Sequence, residues 1–392
     1  MAEPKTVLLA CELGGGMGHI DPLLRIAKGL AAEGHRPVLA VRNLSLAWPK
    51  ARETSFPLMQ APVFFWRTSA GGVHSSAGYA DTLVQTGFES VDTLMPLIRG
   101  WEALLEDLRP SLIIADYSPV VTLAVYRKLP VLNVGFGFIV PPTNAPTFPP
   151  LVPNKPDLVP QQDVLNVIQA VQRLRGQPEP ETLTGVFAEA EPFLTVLPQL
   201  DHYVHVQRQG HLGPMVELLP PQPWPDQPRF FAYLKATNPK VENLLSALGQ
   251  SGYAGKAFVL GASADVQAKL SRSGVEILSA PTPINEVLPH VNVVIHHAGI
   301  NMSQQALAAG RPQLLFPEHL EGLVTAARLH ALGVAHYALD DIRPRIIQQG
   351  LRELMMQPNF RDSAMKVAKT ICESGPWDPL PRILERCRQL LA

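Results

Sequence analysis

A short apolar run, a turn of small residues and a helix-forming stretch follow one another twice in this chain, and that order restricts the fold more than any other feature. The first instance is Val7 to Cys11, then Glu12-Leu13-Gly14-Gly15-Gly16-Met17-Gly18-His19-Ile20-Asp21, with a helix expected from Pro22, a residue suited to a first helical position. The second is Val291 to Ile295, then His296-His297-Ala298-Gly299-Ile300-Asn301-Met302-Ser303, a helix-prone run Gln304 to Ala309 and a terminating Gly310. Strand-like and helical stretches keep alternating around both: Pro37 to Val41, Trp101 to Leu108, Leu112 to Ala115 and Val131 to Gly135 in the first part, and Arg229 to Lys235, Val241 to Leu248, Ala257 to Leu260, Gln313 to Phe316 and Leu323 to Leu332 in the second. Such alternation argues for parallel βαβ units, so the expected class is α/β with two Rossmann-like domains.

At 392 residues the chain exceeds the size over which one hydrophobic core keeps growing. A stiff proline cluster, Pro220-Pro221-Gln222-Pro223-Trp224-Pro225-Asp226-Gln227-Pro228, places the expected boundary. The expected organisation is a first domain over residues 1–218, a linker over 219–228, a second domain over 229–375 and a final helix over 376–392 that crosses back onto the first domain. A second proline-dense stretch, Val140 to Pro160, excludes continuous helix or central strand and reads as a long loop over a cleft mouth.

Composition narrows the function classes. Apolar residues at 46% and charged residues at 17% describe a folded globular chain. A formal net charge of -1, with no Lys/Arg block, argues against nucleic acid as a partner. Three scattered cysteines suggest neither a disulfide framework nor a zinc knuckle, and the longest apolar stretch, Leu112 to Val125, is broken by Asp116 and too short for a bilayer span. A cytoplasmic location is the expectation, with peripheral membrane contact and oligomeric state left open.

The first turn does not satisfy the dinucleotide fingerprint. Counting from Gly14, the sixth position is His19 instead of glycine, and the second strand ends in Arg42-Asn43 without the expected carboxylate, which disfavours an NAD-dependent dehydrogenase. What the turn presents is an imidazole at the C-terminal edge of a parallel sheet, suited to taking a proton near neutral pH. Asp116, also at a strand end, can orient that imidazole. Two other roles stay open here: His19 as a cap of the helix from Pro22, and Asp116 as the N-cap of a segment beginning near Pro119.

The second turn has the makings of an anion site. Gly299 permits close backbone approach, Asn301 or Ser303 can cap the helix, and the amides and positive dipole end at its start suit a diphosphate. His297 can donate to a phosphate oxygen without a metal. The alternative is that His296 and His297 merely finish a buried strand.

Both halves resemble the metal-independent inverting glycosyltransferases that include plant and bacterial small-molecule glucosyltransferases and macrolide glycosyltransferases. Gly18-His19-Ile20-Asp21-Pro22-Leu23-Leu24, with Leu30 and Gly34-His35, is similar to that family's opening motif; Ala280-Pro281, Leu288-Pro289, His297-Ala298-Gly299, Asn301, Ser303, Gly310, Pro312 and Pro317 are similar to its donor-binding signature. The resemblance implies the GT-B fold, two Rossmann-like domains facing each other across a cleft. It implies His19 as the general base on an acceptor hydroxyl, steadied by Asp116, with Gly15 and Gly16 in the acceptor-side loop. It implies His297, Gly299, Asn301 and Ser303 around the diphosphate, Gln305 in place of a glutamate that often holds the ribose, and Glu321 facing sugar hydroxyls. No cofactor and no metal are implied; the partners are a nucleoside-diphosphate sugar and a small-molecule or lipid-like acceptor.

Ser279, Thr282, Gly322 and the stretch Lys235 to Asn238 depart from the family pattern, where a base-stacking tryptophan, two glutamines and a glycine-serine turn are usual. Two alternatives follow: a degenerate relative that binds a nucleotide sugar or glycan without transfer, and a twin-Rossmann sugar epimerase, for which Glu12 is the obvious carboxylate. Phe64, Phe65, Trp66, Phe136 and Phe138 make an apolar acceptor plausible, though core packing explains them equally well.

Overall fold

The structure, a computed structural model, describes residues 3–64, 76–339 and 342–392. It divides into two compact units, Met1–Met215 with Asp378–Ala392, and Val216–Trp377. Each is built on a six-stranded sheet.

In the first unit β1 (Thr6–Cys11), β2 (Arg36–Val41), β3 (Leu58–Gln60), β4 (Leu112–Asp116), β5 (Val131–Gly135) and β6 (Ala190–Leu194) pair in parallel in the order β3-β2-β1-β4-β5-β6. In the second, β7 (Arg229–Lys235), β8 (Ala254–Leu260), β9 (Glu276–Ile277), β10 (Val293–His296), β11 (Gln313–Leu315) and β12 (Ala335–Tyr337) pair in parallel in the order β12-β11-β10-β7-β8-β9. Each sheet therefore reverses its winding once, between β1 and β4 and between β7 and β10. Crevices at such switch points, outside the carboxyl ends of the strands, are where open α/β sheets bind ligands.

Parallel strands covered on both faces need apolar residues at every position. β1 follows that rule: Leu8 and Ala10 join Ile113 and Ala115 in one core, while Val7, Leu9 and Cys11 join Leu112 and Ile114 in another. Trp101, from helix Val91–Leu108, is fully buried in the first of these cores. Helix Met17–Ala32 fills the second with Ile20, Leu23, Ile26 and Leu30, and the last helix, Leu380–Leu391, adds Ile383, Cys387 and Leu391 to it. That last helix is thus part of the first unit, and Gly29 makes room for it, since a Cβ there would lie 2.6 Å from Leu384 Cδ1.

The proline-rich stretch is held to the second unit. Fully buried Arg311 donates from Nη1 to the Gln222 carbonyl at 3.3 Å and from Nη2 to that of Pro223 at 2.6 Å, and Asn292 Nδ2 donates to the Pro225 carbonyl at 2.9 Å. Residues 140–160 form no strand or helix beyond an isolated Val152–Lys155 bridge, and Val140, Phe148 and Leu151 in it are buried. Phe65 and Trp66 lie outside the described residues.

Candidate active site

At the first switch point the parallel register sets Cys11 of β1 opposite Asp116 of β4. The chain then turns through Glu12 to Gly16 and enters a helix at Met17, five residues earlier than Pro22. Gly16 is its N-cap, with no side-chain cap bond, so His19 sits in the first turn and does not cap a helix at Pro22. Its ring turns back onto the strand ends, where Nδ1 lies 2.6 Å from Asp116 Oδ1. Both side chains are largely buried, at 16% and 6% exposure.

Asp116 is not a helix cap either. Helix Pro119–Ala124 has Ser118 at its N-cap, without a side-chain cap bond, and its first amides are taken by Glu12: Val120 N donates to Oε2 at 2.8 Å and Val121 N to Oε1 at 2.6 Å. Ser118 Oγ donates to the Asp116 carbonyl and accepts from Glu12 N, both at 3.0 Å, and Leu13 N donates to the Tyr117 carbonyl at 3.2 Å. The turns after β1 and β4 are therefore stitched into one platform under His19. Glu12 is buried, its carboxyl pushed up from 4.5 to about 8 by burial against the opposing amide hydrogen bonds. With both oxygens committed to a helix start, it does not face a sugar, which removes the residue on which the epimerase alternative rested.

Of the three consecutive glycines only Gly14 is sterically required. A Cβ there would lie 2.4 Å from His19 Cγ and 2.6 Å from Cys11 Sγ, whereas no described residue lies within 4 Å of one at Gly15 or Gly16. Aromatic rings complete the surroundings. Tyr117, held at φ 49°, stacks on His19 with centroids 6.2 Å apart, and Phe136, directly after β5, lies 6.2 Å away and tilted. Phe138 meets Tyr117 edge-on at 6.2 Å. Three strand ends thus converge on one imidazole.

Cys11, His19 and Asp116 place their donor atoms within 4.8 Å of one another, a spacing open to a cation. Here the Cys11 thiol is packed in the core and contacts the Gly14 carbonyl, and burial first, then the Asp116 charge, pushes it well above its usual range.

The second switch point separates the paired histidines. His296 ends β10 inside the sheet, fully buried, with Nε2 2.9 Å from Gln313 Oε1, and burial lowers its pKa to about 4. It finishes a buried strand. His297 begins the turn; burial first, then the charges of Lys235, His296 and His319, lower its pKa to about 3, so at neutral pH it is an uncharged hydrogen-bonding group. Ala298 takes the left-handed φ of 61° and Gly299 is the N-cap of helix Ile300–Ala308. Among the described residues neither Asn301 nor Ser303 nor any other side chain caps it, and uncapped amides at a helix start are suited to an anion. A Cβ on Gly299 would lie 3.2 Å from His297 Nε2, so the glycine lets the imidazole fold over the helix start.

The other expected donor residues divide. Asn301 is in the first helical turn and half-buried. Ser303, two residues further on, is completely buried; its carbonyl accepts from Gln313 Nε2 at 3.2 Å, and its hydroxyl has no partner among the described residues. Gln305 Nε2 donates to the Glu217 carbonyl at 3.2 Å and to Asn285 Oδ1 at 3.3 Å. Glu321 opens helix Leu320–Ala331, whose start abuts the turn: a Cβ on Gly322 would be 3.1 Å from the His297 carbonyl oxygen. That close approach gives a physical reason for glycine where a glutamine was expected. The Lys235-to-Asn238 segment is tied to Glu318, which accepts from Asn238 Nδ2 at 2.9 Å and lies 3.6 Å from Lys235 Nζ.

Two such sheets define the GT-B class of fold. The calicheamicin glycosyltransferase CalG4 superposes with a TM-score of 0.71 at 18% identity, covering 100% of this chain and 99% of that one. The Streptomyces sp. SF2575 glycosyltransferase SsfS6, solved with thymidine diphosphate, gives 0.63 at 16% identity over 97% of this chain and 99% of that one. Within that fold the sequence points further: residues 263–385 match the family described as erythromycin biosynthesis protein CIII-like, C-terminal domain. The chain is also 27% identical over 107 residues to aclacinomycin-T 2-deoxy-L-fucose transferase of Streptomyces galilaeus, a match spanning 26% of this chain and 24% of that relative. The resemblance to the glycosyltransferases that include macrolide glycosyltransferases is borne out.

Proposed function

We propose that this chain is a glycosyltransferase that moves a hexosyl group from a nucleoside-diphosphate sugar to a hydroxyl of a small, apolar acceptor, with inversion. The observation that carries the reading is the 2.6 Å contact between His19 Nδ1 and Asp116 Oδ1 at a switch point, against aromatic rings. Asp116 holds the proton on Nδ1, and the lone pair of that tautomer then sits on Nε2. Nε2 takes the acceptor hydroxyl proton as the oxygen attacks the anomeric carbon. The bond from that carbon to the diphosphate oxygen breaks, its electron pair leaving with the nucleoside diphosphate. The proton stays on the imidazolium, stabilised by Asp116. Displacement from the face opposite the leaving group inverts the anomeric centre.

The second unit binds the donor. The uncapped amides of helix Ile300–Ala308, His297 as a neutral donor and half-buried Asn301 receive the diphosphate, and Glu321 meets the sugar. Thymidine diphosphate sugars are the first donors to try, because SsfS6 was solved with that nucleotide. Tyr117, Phe136 and Phe138 supply the apolar face for an acceptor, and no metal enters the scheme.

The test is His19→Ala. Transfer falls by about 10²- to 10⁴-fold, the usual worth of a general base, while thymidine diphosphate affinity stays at the wild-type value. Transfer within a few-fold of wild type refutes the base assignment. Donor binding by the wild type with neither transfer nor donor hydrolysis, across a broad acceptor panel, points to a binding protein instead.

A further inference from the structure

We propose that Lys235 is the cation that holds the diphosphate at the second switch point, a role resting on the donor site argued above. Strand alternation puts Tyr233 and Lys235 on the same face of β7. The Tyr233 ring lies 6.0 Å from that of His297, and the register sets Tyr233 opposite His296, so Lys235 lies two residues further along β7, beyond the end of β10 and on the face of Tyr233. The charge of Lys235 also acts on His297, where it is the largest cause of the lowered pKa after burial.

A site for a diphosphate without metal needs positive charge, and its other members carry only partial charge. The helix amides are dipoles, and His297 is neutral at working pH. Lys235 carries a full charge, and its restraint is loose: Glu318 is 3.6 Å from Nζ, beyond hydrogen-bond range, and the lysine is 30% exposed. A contact of that kind contributes little and exchanges readily for a doubly ionised phosphate. Glu318 keeps its bond from Asn238 Nδ2, at 2.9 Å, when Lys235 turns away. Lys235 thereby brings a full charge to the end of β7.

The experiment is calorimetric titration of wild type, Lys235→Met and Lys235→Arg with thymidine diphosphate, uridine diphosphate and inorganic pyrophosphate, with thermal melting to establish that each variant is folded. For the probe that the wild type binds, Lys235→Met loses roughly 10- to 100-fold in affinity, as expected for one charge-assisted bond, and Lys235→Arg recovers most of it. The salt dependence of binding also becomes shallower in Lys235→Met. Unchanged affinity in a folded Lys235→Met protein overturns the assignment of Lys235 alone. A wild type that binds none of the three probes overturns the donor site and this assignment together.

Discussion

Replacing Asp116 by Asn tests the dyad without disturbing its shape. The two side chains are isosteric, Asp116 is nearly buried, and its carboxylate touches the imidazole edge opposite the proton-accepting nitrogen. With Nδ1 and Oδ1 2.6 Å apart, the charge centres of an imidazolium and a carboxylate are about 4 Å apart. At an effective dielectric of about 20 that attraction is worth about 4 kcal/mol, and it exists only once His19 has taken the proton. Most of it therefore falls on the transition state, because the neutral ground state has only the Nδ1–Oδ1 hydrogen bond. At about 1.4 kcal/mol per decade the expected loss is about 10³-fold in kcat, with KM for the donor unchanged. An amide also offers Nδ2 as a donor, which favours the wrong tautomer and adds to the loss. The assay is transfer from the donor that binds best to an aromatic acceptor panel, followed by chromatography, with thermal melting as the folding control. A folded Asp116→Asn protein within tenfold of wild-type kcat refutes the idea that Asp116 stabilises the protonated base.

Two more predictions concern the platform. Because the folded chain holds the Glu12 proton more tightly than the unfolded chain, its contribution to stability is complete below pH 4.5, declines through neutrality and is lost above about pH 8. The loss is on the order of 5 kcal/mol at most across that interval. Urea denaturation at pH 5 and pH 8 therefore gives a wild-type-minus-Glu12→Gln difference that shrinks or reverses at the higher pH; an equal difference at both refutes the raised carboxyl. Gly14→Ala forces a methyl to within 2.4 Å of His19 Cγ, for about 1–3 kcal/mol of destabilisation and loss of transfer. Gly15→Ala has open space and leaves both unchanged, so the idea fails if the two variants behave alike in melting and transfer.

The sheets were legible because strands buried on both faces leave long apolar runs, as at Val7 to Cys11 and Leu112 to Ala115. The edges were not. β3 is three residues long, and β6 carries Pro192, which an edge strand tolerates and a sequence pattern rejects. The start of the first helix was misplaced for a related reason. Pro22 is the sixth residue of a helix that begins at Met17 and lies inside it, so it marks no boundary. Residues that make the platform rigid left no signal at all. Glu12 finds its partners 108 and 109 positions along the chain, and only the pairing of β1 with β4 brings them within reach.

The two turns read alike in sequence, each a strand, small residues, a histidine and a helix, and the fold gives their histidines opposite environments. His19 is set against a carboxylate, which favours the imidazolium once a proton arrives. His297 is buried beside a lysine and two further histidines, which penalise the same proton. A general base must accept a proton and return it, whereas a group that donates to phosphate must keep its neutral form at working pH. On the function proposed above, burial and charged partners divide the labour between two identical side chains. Neither partner adjoins its histidine in sequence, since Asp116 is 97 positions from His19 and Lys235 comes from the strand on the far side of the second switch point. The distinction becomes readable only when the strand order is known.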